Sequence, residues 1–86
     1  MNTLILSDKF QRQLKSLIKG NSRLKDQVFK AVNLLRTDVN HPSFRLHKLS
    51  GQDNWSISVT KSIRIILHWE KENIFLLRVG KHEDVY

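Results

Sequence analysis

The chain has 86 residues, 40% of them hydrophobic and 27% charged, which is ordinary globular composition and predicts one domain over residues 1–86. It contains no cysteine, which excludes disulfides and thiolate metal sites. The net charge of +7, from 15 Lys and Arg against 8 Asp and Glu, favours a polyanionic partner such as nucleic acid. No stretch approaches the roughly 20 apolar residues that span a bilayer. We therefore expect a soluble cytoplasmic protein without a membrane partner.

The first half of the sequence predicts one strand followed by two helices. The apolar run from Asn2 to Leu6 is predicted as the strand. Ser7 suits a helix N-cap, and apolar residues then recur at helical spacing up to Gly20, which suits a left-handed C-cap. Ser22 suits the N-cap of a second helix, and the short link predicts an antiparallel hairpin. The apolar stripe of the second helix comprises Leu24, Val28, Phe29, Ala31, Val32, Leu34 and Leu35.

The second half predicts a loop and three strands. Residues 40–54 contain the only proline and several turn-forming residues, so they are predicted as a loop. Apolar and polar residues then alternate in three runs separated by short connections, and such connections require antiparallel pairing. The predicted architecture is β-α-α-β-β-β, an α+β fold in which an antiparallel sheet packs on a two-helix hairpin.

Alternation also predicts the register of the three strands, because residues opposite each other share a face of the sheet. A three-residue turn at Thr60 to Ser62 gives a wholly apolar face, on which Trp55, Ile57 and Val59 lie opposite Leu67, Ile65 and Ile63. By the same test, Trp69, Leu67 and Ile65 are expected opposite Phe75, Leu77 and Val79. The other face then collects Ser56, Ser58, Arg64, Ile66 and Arg78, and also His82 if the chain stays extended.

Three segments carry a resemblance to a known family. The order of elements, together with "HKLSG", "WSISVTKSIRIIL" and "LLRVGKHEDVY", resembles the RelE/ParE superfamily of toxins from type II toxin–antitoxin systems. The likeness covers nearly the whole chain and is closest to the RelE/StbE and YafQ-like branches. It implies a RelE-like fold and a ribosome-dependent mRNA endonuclease. The segment from Thr60 to Ser62 departs from the YafQ-like pattern, because it has neither histidine nor acid.

The resemblance also implies the residues of the site. It places a functional histidine or arginine at His82, a histidine that takes part in cleavage at His47, and a contributing tyrosine at Tyr86. Arg64 opens an apolar strand after a tight turn and is the candidate for the transition-state phosphate. The candidate RNA contacts are Lys48, Arg78, Lys81 and Arg45.

These residue types suit cleavage of RNA by its own 2′-hydroxyl. A base removes the hydroxyl proton, an acid protonates the departing 5′-oxygen, and histidine suits both tasks. A guanidinium offers forked donors to phosphate oxygens. No metal or cofactor is required, and none is expected. The structural alternatives are a solvated histidine at His82, a capping or packing histidine at His47, a strand arginine paired with Glu83 or Asp84 at Arg64, and a hydrophobic anchor at Tyr86.

The implied partners are mRNA, ribosomal RNA and a cognate antitoxin with an acidic binding segment. Two other functions remain open at this point. A ParE-like toxin would inhibit DNA gyrase and would not need the four candidate catalytic residues. A non-catalytic relative would only bind its antitoxin.

Overall fold

The computed structural model describes residues 1–51 and 53–85, without the side chain of Asp84. The helices are α1 (Asp8–Ile18), α2 (Ser22–Leu35), a 3₁₀ turn (Pro42–Phe44) and α3 (His82–Val85). The strands are β1 (Thr3–Leu6), β2 (His47–Lys48), β3 (Asn54–Ser58), β4 (Ile63–Glu70) and β5 (Asn73–Lys81). Among the described residues, no helix is long and apolar enough to cross a membrane.

All five strands form one sheet in the order β1-β5-β4-β3-β2. The pairs from β2 to β5 are antiparallel, and β1 adds to β5 in parallel. The predicted α+β fold, with a sheet packed on two helices, is confirmed. The sheet is mixed, however, because β1 pairs with β5 in parallel, and the long stretch of chain between these two strands allows that direction.

Each of the two long helices begins after a polar residue whose side chain caps it. The Ser7 hydroxyl accepts a hydrogen bond from the Phe10 amide at 3.0 Å, which caps α1 as predicted. At α2, the Asn21 side chain accepts from the Leu24 amide at 3.1 Å, so Asn21 is the N-cap and Ser22 is the first helical residue. Gly20 has a φ of +69°, the left-handed conformation expected at the end of α1.

The hydrophobic core lies between the two long helices and one face of the sheet. The helices contribute Phe10, Leu24, Val28, Ala31 and Leu35, and the sheet contributes Ile57, Ile63, Ile65, Leu67, Ile74, Leu76 and Val79. Trp55 and Trp69 pack against this cluster and against each other, with ring centroids 6.0 Å apart. Phe29, which was assigned to the apolar stripe of α2, is 45% exposed and lies outside the core.

The predicted register is correct between β3 and β4 and wrong along half of β5. Ile57 pairs with Ile65 as expected. Between β4 and β5, Ile65 pairs with Val79, but a bulge after Ile66 inserts one residue of β5. Ile74 and Leu76 therefore lie in the core in place of Phe75 and Leu77. The bulge occurs where β1 ends, and there Ser7 binds the carbonyls of residues 76 and 77, both at 3.0 Å.

Two further expectations about local structure are corrected. Residues 40–54 are not a continuous loop, because they include the 3₁₀ turn and β2. Strand β2 has only two residues, too few to show an alternating pattern, and pairing with β3 defines it. His82 does not extend β5, because the chain turns there into α3.

Candidate active site

A row of side chains crosses the sheet on the face opposite the helices. His47 pairs with Ser56, Ser56 with Ile66, and Ile66 with Arg78. Since directly paired residues share a face, these four belong to one surface. In the neighbouring row, Arg64 pairs with Ser58 on one side and with Gly80 on the other.

Arg64 connects three strands through its guanidinium. Its Nε donates a hydrogen bond to the Ser56 hydroxyl at 3.0 Å. Its Nη2 lies 3.1 Å from Nδ1 of His47. Ser56 is fully buried and Arg64 is half-buried. We call Arg64, Ser56 and His47 the arginine cluster. Its members come from three adjacent strands, so the sheet itself sets their spacing.

No described carboxylate neutralises Arg64. In the part of the chain that the structure describes, the single ion pair joins His68 to Glu70 at 3.4 Å. The alternative that Arg64 pairs with Glu83 is therefore not observed, and the Asp84 side chain lies outside the described residues. An arginine has five N–H donors, and the two contacts in the arginine cluster use two of them. The other three N–H donors of Arg64 make no contact within the arginine cluster.

His82 lies at the end of β4 and β5 that is nearest to Arg64. Its backbone amide donates to the Ser62 carbonyl at 3.0 Å, and its side chain is exposed. Lys81, also exposed, pairs with Ile63 at the start of β4. His82 is thus brought near the arginine cluster by the backbone, at the junction where β5 becomes α3.

Helix α3 packs on β4 and β5. Its Val85 is 1% exposed, and Ile66 on the site face is fully buried, yet both stand outside the main core cluster. We interpret these two residues as a second, small apolar contact on the site side of the sheet. That contact would hold α3, and with it His82, beside the arginine cluster.

The other candidate residues are less closely grouped. Arg78 is half-buried at the far end of the row from His47. Lys48 and Arg45 are exposed, and Arg45 ends the 3₁₀ turn in a left-handed conformation with φ +48°. Tyr86 lies outside the described residues.

Two histidines without an assigned role make local contacts. His41 Nδ1 lies 2.7 Å from the Ser43 hydroxyl and accepts from the Ser43 amide at 3.2 Å, at the start of the 3₁₀ turn. His68 contacts Glu70 and the Asp53 carbonyl. Among residues 1–51 and 53–85, no three His, Asp or Glu side chains converge as a metal site.

Sequence reasoning placed Ser56 on this face but did not recognise it as part of the site. The signal was available in the predicted register. Ser56 lies two residues before Ser58, which pairs with Arg64, so the two side chains are diagonal neighbours within reach of a long arginine. The contact between Arg64 and His47 was not predictable in the same way, because β2 was not recognised.

Solved structures of toxins share this fold over the whole chain. A metal-bound toxin from Helicobacter pylori is 27% identical, covers 100% of both chains and has a TM-score of 0.82. A chain of the E. coli DinJ–YafQ toxin–antitoxin complex is 16% identical and covers 99% of this chain and 97% of that chain, with a TM-score of 0.83. A YoeB/ParE toxin from Agrobacterium tumefaciens is 12% identical and covers 95% and 99%, with a TM-score of 0.77.

The chain has the fold of the RelE/ParE superfamily of toxins. The sequence motifs indicated the same superfamily. No protein-family model matches the chain, and no curated protein matches it. The neighbours below 25% identity show the shared fold alone.

Proposed function

We propose that this toxin is a cytoplasmic endoribonuclease that cleaves mRNA at the ribosome. The observation that carries the proposal is the arginine cluster. A guanidinium fixed by Ser56 and His47, with no described carboxylate against it, is suited to bind a phosphate. The histidines at 47 and 82 lie at opposite sides of this cation and supply groups that can handle protons.

The proposed reaction uses the nucleophile that RNA itself carries. The 2′-hydroxyl loses its proton and its oxygen bonds to the adjacent phosphorus. The bond from phosphorus to the 5′-oxygen breaks, and that oxygen takes up a proton, which leaves a 2′,3′-cyclic phosphate and a 5′-hydroxyl. The donors of Arg64 stabilise the extra negative charge on the phosphate. His82, His47 and Tyr86 are the proposed catalytic residues, and no metal or cofactor takes part.

The proposed contacts to the RNA backbone are Arg78 on the site face, Arg45, and the two edge lysines Lys48 and Lys81, whose strand partners Trp55 and Ile63 face the helices. Most of the net charge lies elsewhere, however. Residues 8–36, which contain both long helices, carry eight Lys and Arg against two Asp, so they supply +6 of the total +7. These helices pack on the face opposite the arginine cluster. We propose that this second basic surface docks on ribosomal RNA while the site face receives the message.

The proposed protein partner is a cognate antitoxin. The support is the solved E. coli DinJ–YafQ toxin–antitoxin complex, which contains a chain of this fold. The same basic surfaces would attract an acidic segment of such an antitoxin, because opposite charges speed and orient association.

The chemistry of the RNA ends tests the proposed reaction. Ribosomes stalled on a labelled message are incubated with the toxin, and the new ends are treated with polynucleotide kinase. We expect 5′-hydroxyl ends and cyclic phosphates, which identify attack by the 2′-hydroxyl. Ends with a 5′-phosphate would contradict this mechanism. An uncut message, with supercoiling by DNA gyrase blocked instead, would favour the ParE-like function.

A further inference from the structure

The contact between Arg64 and His47 fixes which ring nitrogen of His47 carries a proton. A guanidinium has donors only, so at 3.1 Å Nη2 of Arg64 donates and Nδ1 of His47 accepts. An accepting Nδ1 holds no proton. The ring in this arrangement is therefore the neutral tautomer with its proton on Nε2.

The arrangement is held from two sides. Arg64 cannot swing away freely, because its Nε is bonded to the buried Ser56 hydroxyl at 3.0 Å. His47 is positioned by the pairing of β2 with β3, in which it lies directly opposite Ser56. Arg64 on β4 places a cation against the ring, and β3 presents the uncharged Ser56 at the paired position.

We infer that His47 acts as a neutral hydrogen-bond donor to the phosphate and not as the general acid or base. This inference rests on the proposed nuclease function. To act as a base, the ring needs an available lone pair, but Nδ1 already accepts from Arg64 and Nε2 holds the proton. To act as an acid in its charged form, the ring must also protonate Nδ1, which breaks the bond to Arg64 and places two cations in contact.

The consequence is a division of labour within the site. His47 through Nε2 and Arg64 through its remaining donors form one fixed set that stabilises charge on the phosphate. Proton transfer then falls to groups outside the arginine cluster. Of the histidines proposed as catalytic, His82 is the one that remains for that task. Ser56 is a positioning residue, since it acts by orienting Arg64.

Two glutamine variants separate the roles. Glutamine places an amide donor close to the position of Nε2 but cannot transfer a proton at neutral pH. The rate of message cleavage on ribosomes is measured against pH for wild type, His47→Gln, His47→Ala and His82→Gln. We expect His47→Gln to cleave within about tenfold of wild type, and His47→Ala to lose about 100-fold or more, the usual effect of removing one preorganised donor. His47→Gln should keep both limbs of the pH profile, and His82→Gln should lack one.

The opposite pattern overturns the inference. If His47→Gln is as slow as His47→Ala and one limb of its profile is missing, His47 transfers a proton. If the wild type does not cleave the message, the proposed function and the role of His47 as a donor to the phosphate are both wrong. A two-bond ¹⁵N–¹H spectrum of the imidazoles provides a check that needs no activity and also shows whether the variants are folded. We expect Nδ1 of His47 to be unprotonated, and a protonated Nδ1 would refute the tautomer.

Discussion

Replacing Arg64 should abolish most catalysis while leaving the fold intact. Its guanidinium uses two donors on Ser56 and His47, and the others can reach a phosphate only because those two bonds hold it still. Loss of one preorganised donor to developing charge commonly costs about 3–4 kcal/mol, or about 10²–10³-fold in rate. We therefore expect Arg64→Ala to slow cleavage by at least that factor.

The lysine variant separates fixed geometry from charge alone. Arg64→Lys keeps the positive charge but cannot make both bonds of the arginine cluster, so its donor is no longer oriented. We expect a loss of about 10–100-fold, between wild type and the alanine variant. Each lost hydrogen bond costs stability of only about 1 kcal/mol, so the variants should remain folded at the assay temperature.

Single-turnover cleavage, with toxin in excess over stalled ribosomes, measures this effect without interference from docking. Lys71→Ala is the control, because Lys71 is an exposed cation in the turn between β4 and β5, at the end of these strands that is far from Arg64. Circular dichroism melts confirm that all variants are folded. If folded Arg64→Ala cleaves within about threefold of wild type, the assignment of Arg64 to transition-state charge is refuted.

Three further predictions concern positioning, capping and docking. Ser56→Ala should slow cleavage about tenfold in wild type but should have little further effect in the Arg64→Lys background. Equal effects of Ser56→Ala in both backgrounds of this double-mutant cycle would contradict its positioning role. Ser7→Ala should lower the free energy of unfolding in urea by about 1–2 kcal/mol, because it removes the cap of α1; Ser16→Ala, at an exposed position on the same helix, should change it by less than about 0.5 kcal/mol. Lys25→Glu, in the first turns of α2, should weaken ribosome binding. It should also reduce the slope of the logarithm of the binding constant against the logarithm of salt concentration by about one per lost phosphate contact. Lys71→Glu makes the same charge change in the turn between β4 and β5, and equal effects of the two substitutions would argue against a docking surface on the helices.

Much of the fold could be predicted because the decisive signals are local. Ser7 caps α1 through a contact three residues away. The register of β3 and β4 follows from alternation, because a shift of one residue would place Ile57 and Ile65 on the polar face. The polar face itself, with Ser56 and Arg64, followed from the same argument.

The features that were missed depend on tertiary contacts. The bulge in β5 leaves no trace in the pattern, because residues 74–77 are all apolar and either parity gives a hydrophobic face. Strand β2 has two residues and exists only through pairing with β3. For that reason the contact of His47 with Arg64, on which the division of roles depends, could not be read from the sequence.

Primer extension on an mRNA incubated with the purified toxin tests the central claim most directly. The reaction is run with and without translating ribosomes, in parallel with His82→Ala. The account predicts cuts in the message that require ribosomes and disappear in the variant. An intact message in every lane, from a toxin shown to be folded, would contradict it.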